Sequence, residues 1–421
     1  MKLALIVFVL TYACMIIFSS RRPLIAVLSA AVFVILGILP VSEVIGAVDW
    51  NVLMMLAGTM GTVGLFIESK MPNRMADYLL KLCPNVKWVV VVMSLFAGVV
   101  SAFIDNVATV LMIAPVGLAI AKKLDISPVG MLISISVSSN LQGAATLVGD
   151  TTSILLAGHA GMDFMDFFFM DGKFSIFWAV QLGALATVPV ILLLFRKDTE
   201  AVQSDHMTVV EDLFPTILLL INIVLLIAAS FLPNKPELIN GCICLGLCFV
   251  GVVRALLKGR ERSLAAKVVR EIDYATLILL AGLFVVIAGI TKAGVIDAVS
   301  ALFVKVGGDN LFLMYSLIVW GSVLFSAFID NIPYVATMLP VISGIASIMG
   351  CNPIVLYFGL LTGSTLGGNL TPIGASANIA TIGILQKNGY EVKTSQFLQI
   401  GIPFTLVAVL SGYLFCWFVW A

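Results

Sequence analysis

Apolar runs long enough to cross a membrane recur along almost the whole of this 421-residue chain. A bilayer core is crossed by about 20 apolar residues in a helix. Runs on that scale lie near 3–19, 23–47, 50–67, 86–121, 128–158, 174–195, 213–232, 238–257, 273–290, 310–349, 353–385 and 398–420. The pattern predicts an all-α integral membrane protein with about ten transmembrane helices. The longest runs exceed one straight crossing, so we expect breaks within them.

Basic patches between the runs predict which face of the membrane each loop occupies. Cytoplasmic loops carry an excess of Lys and Arg. This rule assigns to the cytoplasm Arg21–Arg22, the segment 70–87, Lys122–Lys123, Arg196–Lys197 and the segment 254–270. The segment 163–171, which carries three aspartates, falls outside. Both termini are then extracytoplasmic, and the predicted location is the plasma membrane.

Two of the long runs are predicted to be re-entrant helical hairpins. The segment 70–87 and Lys122–Lys123 are both assigned to the cytoplasm, although the run 86–121 lies between them. A hairpin over 86–121, with its tip at Asp105–Asn106, returns the chain to the same side. The run 310–349 is predicted to enter from outside and to turn at Asp330–Asn331. Backbone of this kind is tolerated at membrane depth only when protein buries it or it lines a cavity.

The two hairpin tips belong to an internal repeat. Residues 101–106 and 326–331 both read Ser-Ala-Phe-Ile-Asp-Asn, and the same spacing relates 146–149 to 371–374. The charge assignments give the halves opposite topology, which is typical of secondary transporters with a site at the repeat interface. The predicted organisation is an N-terminal repeat 1–197 (hairpin 86–121, broken helix 128–158), a cytoplasmic linker 198–212, and an inverted C-terminal repeat 213–421 (hairpin 310–349, broken helix 353–385).

Composition and charge narrow the class of protein further. The chain is 61% hydrophobic, 11% charged and of zero formal net charge. An ordinary soluble domain is about a quarter charged, so a soluble protein is excluded and no electrostatic argument favours nucleic acid as a partner. The sequence has no spacing typical of a nucleophile–base pair or a metal centre. We therefore expect neither an enzyme nor a cofactor.

The aspartates at the tips are the main candidates for chemistry. An Asp at the centre of a membrane helix costs about 2.5–3.5 kcal/mol on insertion scales. One interpretation is that Asp105 and Asp330 only cap the helices that follow them. The other interpretation is that they form a proton site or a Na⁺ site. The candidate Na⁺ ligands are Asp105, Asn106, Asp330 and Asn331. A buried carboxylate can cycle between its charged and neutral forms.

Each half also contains a broken helix that offers further ligands. Glycines interrupt both runs midway, including Gly149 and Gly374. Unwound backbone frees carbonyls for a cation and directs a half-helix N-terminus at an anion; the alternative is close helix packing by small residues. Asp150 adds a third acid, and its counterpart is Ala375. Because no Lys or Arg is near either tip in the sequence, we expect an acidic centre.

The doubled Asp-Asn tips, the Thr-Leu-Val-Gly-Asp and Thr-Pro-Ile-Gly-Ala-Ser-Ala-Asn segments and the length resemble the ArsB/NhaD permeases. That family includes arsenite/antimonite efflux proteins, Na⁺/H⁺ antiporters and relatives of the melanosomal P protein, and is distantly related to divalent anion/sodium symporters. The resemblance implies a scaffold, a moving transport domain and often a homodimer. The substrate- or ion-binding residues that it implies are Asp105, Asn106, Thr109, Thr146, Gly149, Asp150, Thr151, Asp330, Asn331, Thr337, Thr371, Gly374, Ser376 and Asn378.

The predicted function is secondary active transport by alternating access. The leading hypothesis is a proton-coupled antiporter that exports an arsenite-type oxyacid or Na⁺, with H⁺ and/or Na⁺ as the coupling ion and the lipid bilayer and a second copy as partners. The alternatives are a Na⁺-coupled inorganic anion or dicarboxylate symporter, and a channel or receptor-like membrane protein. In the dicarboxylate branch of these relatives, each hairpin tip resembles the sequence Ser-Asn-Thr. In this chain Asp takes the place of that Ser at both tips, and its carboxylate repels a substrate carboxylate at low effective dielectric.

Overall fold

The computed structural model describes residues 1–123, 126–202, 207–210, 212–257 and 268–421, and the described chain is almost entirely helical. The helices of the first half are α1 (Lys2–Ile17), α2 (Arg22–Ile35), α3 (Val41–Ala47), α4 (Trp50–Glu68), α5 (Met71–Leu80), α6 (Val86–Ser101), α7 (Asn106–Lys123), α8 (Val129–Gly143), α9 (Thr151–Ala160) and α10 (Ile176–Leu194). Those of the second half are α11 (Phe214–Ser230), α12 (Ile239–Leu257), α13 (Tyr274–Lys292), α14 (Val295–Gly307), α15 (Leu311–Ser326), α16 (Asn331–Met349), α17 (Ile354–Gly367), α18 (Ser376–Lys387) and α19 (Thr394–Trp420).

Short elements complete the fold. Two-residue strands β1 (Phe169–Met170) and β2 (Lys173–Phe174) pair antiparallel, and 3-10 turns lie at Ser19–Arg21, Met165–Phe167 and Gly368–Leu370. Parts of the predicted linker 198–212 and of the basic segment 254–270 lie outside the described residues.

Seven of the described helices are long and apolar enough to cross a membrane, or eight spans if the bent pair α14–α15 counts as one. The seven are α4, α7, α10, α12, α13, α16 and α19. The prediction of an all-helical membrane protein is confirmed. Two details differ: the run 23–47 divides into α2 and α3, and the basic segment 70–87 contains the helix α5.

Side-chain caps begin the equivalent helices of the two halves. Asp49 begins α4 and Asp273 begins α13, each accepting a backbone N–H three residues ahead, at 3.0 and 3.1 Å. Asn85 and Asn310 cap α6 and α15 in the same way, at 3.3 and 3.0 Å. A cap satisfies backbone donors that the first turn of a helix otherwise leaves unpaired. The repeat is therefore visible in local structure, while the opposite membrane orientation of the halves stays a prediction.

Helices α6 and α7 form the first predicted hairpin. Ser139, near the end of α8, donates to Ser101 Oγ at 3.1 Å and to the carbonyl of Asn106 at 3.0 Å, so the end of α6 and the start of α7 lie side by side. Farther along α7, Gly117 packs against Leu132 near the start of α8. The start of α6 shares a small cavity with that same end of α8. Both helices therefore run back from the tip along α8.

Helices α15 and α16 form the second hairpin. Ser322, four residues before the end of α15, hydrogen-bonds at 3.0 Å to the hydroxyl of Tyr334, near the start of α16. The Tyr334 ring also stacks on Phe325, with ring centroids 5.9 Å apart. Contacts that are symmetric about the tip show that the chain turns back on itself there.

Both broken helices are confirmed, and their first halves form the centre of the protein. Residues 144–150 separate α8 from α9, and residues 368–375 separate α17 from α18. Every residue of α17 is buried, and α8 is buried apart from Gly130. The first break, 144–150, is buried throughout, whereas the second includes the exposed Ile373, so protein or a cavity must shield the interrupted backbone at membrane depth.

Candidate functional site

Each hairpin tip is fastened to the neighbouring broken helix by a threonine. The Thr146 hydroxyl donates to the carbonyl of Ala102, and the Thr371 hydroxyl donates to the carbonyl of Ala327. These carbonyls lie just past the ends of α6 and α15, where helix termini leave acceptors unpaired. The two predicted site residues Thr146 and Thr371 thus hold the tips in place.

Glycines let the tips approach the broken helices closely. A Cβ on Gly149 would lie 2.6–2.8 Å from the carbonyl oxygens of Gly143, Ala102 and Ser101. At Gly374 the corresponding distances are 2.6–2.9 Å to the equivalent three carbonyls. Any larger residue would push the tip away, because real Cβ atoms do not come within 3 Å of oxygen.

Each tip aspartate also begins the second helix of its hairpin. Asp105 Oδ1 accepts the N–H groups of Val107 and Ala108 at 3.0 and 3.1 Å, and Asp330 Oδ1 accepts that of Ile332 at 3.2 Å. The capping interpretation therefore accounts for one oxygen of each carboxylate. The second oxygen, Oδ2, is available for other chemistry.

The surroundings of the two Oδ2 atoms differ. Asp330 Oδ2 forms an ion pair with Arg22 Nη1 at 2.8 Å and lies 3.5 Å from Ser376 Oγ. No side chain of the described residues donates to Asp105 Oδ2. The expectation that no Lys or Arg is near either tip was thus wrong for Asp330, because α2 brings Arg22 there from a distant part of the sequence.

A cavity of about 330 Å³ joins the two tips and both broken helices. It is lined by Asp105, Asn106, Val107, Ala108, Asp150, Thr151, Asn331, Ile332 and Ser376, by residues of α4 and α7, and by Glu271, Asp273 and Thr276. The lining contains four carboxylates and, among the described residues, no Lys or Arg. The electrostatics of this space favour a cation or a neutral species over a free anion.

Asp150 is placed to act with Asp105. Its side chain is buried, it directly precedes α9, and its Oδ2 accepts the Thr152 hydroxyl at 3.0 Å. The partial positive charge of a helix N-terminus stabilises a carboxylate there. Asp150, Asp105, Asn106 and Thr151 line one space, and their side chains carry oxygen atoms of the kind that hard cations prefer as ligands.

A buried network of asparagines links the halves behind this cavity. Asn106 Nδ2 donates to Asn140 Oδ1 at 3.0 Å. Asn140 Nδ2 donates in turn to the side-chain oxygens of Asn369 and Asn378, at 2.7 and 3.1 Å. Ser136 also donates to Asn378, at 2.7 Å. Of the predicted site residues, Asn378 thus lies in this network rather than in the lining of the cavity.

Two further predicted site residues, Thr109 and Thr337, lie in helices and do not line the cavity. Thr109 is buried in α7 with its hydroxyl 3.5 Å from the carbonyl of Ile104. Thr337 is in α16 and hydrogen-bonds to Tyr12 of α1, outside the cavity. The sequence reasoning missed Arg22, Tyr12, Asn140, Asn369, Glu271 and Asp273. Only Asn140 and Asn369 left a signal, as amides inside apolar runs.

A second cavity, of about 610 Å³, lies at the other end of α4. Asp49, Trp50 and Asn51 at the start of α4 line it, whereas the first cavity is lined by α4 residues between Thr59 and Ile67. Neither tip aspartate lines this second cavity. Of these two cavities, which described residues line, only the first reaches the tips, through Asp105 and Asn106 of one and Asn331 of the other.

Paired hairpins and broken helices around a polar cavity, within a bundle of apolar helices, define a membrane transporter. The chain belongs to the CitMHS citrate transporter family, whose model matches residues 7–363. This is a family of transporters and not of enzymes, as the sequence predicts.

Similar proteins agree with this assignment. The 46 kDa membrane protein of Mycobacterium leprae is 31% identical over 427 residues, covering 99% of this chain and 98% of that protein. The human P protein is 26% identical over 483 residues, covering 95% of this chain and 58% of that protein, so the expected relation to P protein is confirmed. The YdaH transporter of Alcanivorax borkumensis has the same fold, with a TM-score of 0.62 at 13% identity and coverage of 89% and 86%.

Proposed function

We propose that this protein is a secondary active transporter that couples substrate movement to H⁺ or Na⁺ binding at Asp105 and Asp150. The observation that carries the proposal is the cavity whose lining brings Asp105 and Asp150 together, with no described basic residue among the residues that line it. Asp105 Oδ1 is used by the helix cap and Asp105 lines the cavity, so its Oδ2 is the oxygen that we assign to proton or Na⁺ binding. Two carboxylates beside one space cannot both stay ionised cheaply without a cation.

For the substrate, the leading proposal is export of Na⁺ or of a neutral oxyacid such as arsenite, in exchange for protons. Neither species is repelled by the carboxylates. Protons taken up at Asp105 or Asp150 on one side and released on the other would drive the exchange.

A second candidate is uptake of a citrate-type polycarboxylate. It is favoured by the family description and by Arg22, a cation beside Ser376 at the second tip. Two like charges 4 Å apart repel by about 4 kcal/mol at an effective dielectric near 20. A polycarboxylate therefore needs protons or a metal cation to enter the cavity with it, and the mechanism is then symport.

In this structure the first cavity gives access to the hairpin tips from one side. Glu271 and Asp273, at the start of α13, are exposed and line it together with Ile67 at the end of α4, which places its opening at this end of the two helices. By the positive-inside rule this end faces the cytoplasm, so the conformation corresponds to an inward-open state. In the other state of an alternating-access cycle, Asp105 and Asp150 would be open to the opposite side of the membrane, where the second cavity lies. A homodimer in the plasma membrane completes the proposal, and the mass of the detergent-solubilised protein tests the dimer.

The function is tested in proteoliposomes that enclose a pH-sensitive dye. Na⁺, Li⁺, arsenite, phosphate, dicarboxylates and citrate are added in turn under an imposed proton gradient. Proton movement against Na⁺ or arsenite supports the antiporter, and proton or cation entry together with citrate supports the second candidate. Fast flux that ignores every gradient contradicts coupled transport and indicates a channel.

A further inference from the structure

The same six-residue motif has two different electrostatic settings in this protein. Arg22 Nη1 contacts Asp330 Oδ2 at 2.8 Å, and the two side chains are only 21% and 12% exposed. Arg22 Nε also donates to the carbonyl of Met15 at 3.4 Å. The guanidinium is therefore held between the end of α1 and the second tip. At Asp105 the described residues offer no equivalent cation.

The packing of the repeats shows where a counterpart of Arg22 would be. Gly282 of α13 packs against the backbone of Ala26 in α2, and its repeat partner Gly58 of α4 packs against the backbone of Cys244 in α12. Four residues before Ala26 is Arg22, and four residues before Cys244 is Asn240. Asn240 is neutral and lines the second cavity rather than the one that contains Asp105. The cation is thus present in one repeat only.

A second contact fixes the helix that carries Asp330 to the same part of the protein. The Tyr12 hydroxyl donates to the carbonyl of Pro333 at 2.7 Å and hydrogen-bonds to Thr337. Both partners lie in the first two turns of α16, directly after the tip. The segment from α1 to the start of α2 therefore holds the second tip and its helix together, and Arg22 is positioned rather than free to sample solvent.

We propose that Arg22 is a built-in counter-cation that fills the cation position at the Asp330 tip, so that coupling ions exchange only at the Asp105 and Asp150 end of the cavity. This rests on the proposed function for the identity of the exchanging end. Arg22 is a positioning residue that sets how many ions are exchanged per cycle. Removing its charge frees Asp330 Oδ2 to bind a proton or Na⁺, which adds a second exchange position.

Carboxyl-specific labelling tests this without knowledge of the substrate. Dicyclohexylcarbodiimide reacts with protonated carboxyl groups, and peptide mass spectrometry locates the adduct. In the wild-type protein, Asp330 is expected to stay unmodified while Asp105 or Asp150 is modified. In Arg22→Gln, Asp330 becomes modified and added Na⁺ reduces the reaction. Arg22→Lys keeps Asp330 protected, and Arg21→Gln, which changes the exposed neighbouring arginine, matches wild type.

Two results would overturn the proposal. One is wild-type Asp330 reacting as readily as Asp105, which needs no variant to fold. The other is a folded Arg22→Gln protein whose Asp330 stays unmodified. If the wild-type protein instead shows no ion coupling, the proposed function fails, yet the labelling of Asp330 still decides the role of Arg22.

Transport rates of variants that lack one or both charges of the Arg22–Asp330 ion pair provide a second measurement. Asp330→Asn alone leaves Arg22 without its partner and is expected to lower transport by about tenfold or more. The double variant Arg22→Gln/Asp330→Asn removes both charges and is expected to transport at least about threefold faster than Asp330→Asn alone, because no unpaired charge is left at the tip. A folded double variant as inactive as Asp330→Asn would show that Asp330 itself exchanges ions, contrary to the proposal.

Discussion

Each tip aspartate uses one carboxylate oxygen to begin a helix and keeps the other for a second task. At Asp330 that task is an ion pair with Arg22, and at Asp105 the second oxygen has no donor among the described residues. Identical motifs therefore do not imply identical chemistry. The difference arises from α2, and the hairpin sequence itself gives no sign of it.

Gly149 gives a prediction at this scale. A methyl group there would meet three carbonyl oxygens within 2.8 Å, so Gly149→Ala must displace the first tip from the broken helix. Overpacking of this kind costs about 1–3 kcal/mol. We expect a lower thermal unfolding temperature in detergent and a loss of coupled transport in liposomes.

Gly383→Ala is the matched control for this change. A Cβ at Gly383, in α18, meets nothing within 4 Å, so the variant should unfold at or slightly above the wild-type temperature. If Gly149→Ala and Gly383→Ala have the same unfolding temperature and the same coupled transport, the close approach of the tip to the broken helix is not needed for stability or transport.

Among the elements, α8 and α17 do most to position the site. Both are buried along almost their whole length, and each runs beside the first helix of a hairpin and ends at the tip. The asparagine network ties α8 to the broken segment after α17, so the two halves meet through hydrogen bonds as well as packing. A rigid centre of this kind keeps Asp105 and Asp150 at one cavity.

Asn140 is the residue on which that connection depends most. Asn140→Ala leaves the buried side chains of Asn106, Asn369 and Asn378 short of partners, at a cost of about 1–3 kcal/mol. Scanning fluorimetry should record a clear fall in unfolding temperature. Gln399→Ala, an exposed amide on α19, should change stability by no more than about 0.5 kcal/mol. Equal unfolding temperatures for the two variants would mean that the network adds nothing to stability.

Sequence periodicity predicted the helical breaks well because their residue types have strong local meaning. Asp-Asn at a tip begins a helix, and Gly and Pro interrupt one, so the breaks near 105, 330, 144–150 and 368–375 could be placed. The division of 23–47 was missed although Gly37, with φ of +68°, and Pro40 mark it. The helix α5 was missed because a basic segment was interpreted only as a loop.

The charge environment of the site was less accessible to prediction. The contact between Arg22 and Asp330 depends on the tertiary path that packs α2 against α13, and no local pattern encodes it. Glu271 and Asp273 were not among the predicted site residues, yet they line the cavity. We expected an acidic centre from Asp105, Asp150 and Asp330. The cavity instead has four carboxylates in its lining, and Asp330, which forms an ion pair with Arg22, is not among them.

On the scale of the whole molecule, two cavities lie at opposite ends of α4 and only one reaches the tips. This asymmetry is expected of a transporter held in one state of its cycle. Its orientation in the membrane follows from the basic patches, so it can be tested separately from the transport activity.

Cysteine accessibility tests that orientation. In a cysteine-free background, Thr276→Cys lies in the first cavity and should react with a membrane-impermeant maleimide from the cytoplasmic side. Trp50→Cys lines the second cavity and should react only from outside. Reaction of each position from the side opposite to the one predicted would reverse the assigned topology. Reaction of both positions from the same side would contradict the assignment of the two cavities to opposite faces of the membrane.

The central claim, that ion coupling resides at Asp105, is tested most directly by the proton flux of Asp105→Asn in dye-loaded proteoliposomes. Asn is as good a helix N-cap as Asp, so the variant keeps the start of α7 and loses only the ionisable oxygen. We predict proton movement at the level of empty liposomes for Asp105→Asn, and wild-type movement for Asp309→Asn, an exposed carboxylate away from the cavity. Substrate-driven proton flux in Asp105→Asn equal to that of the wild-type protein would contradict the account.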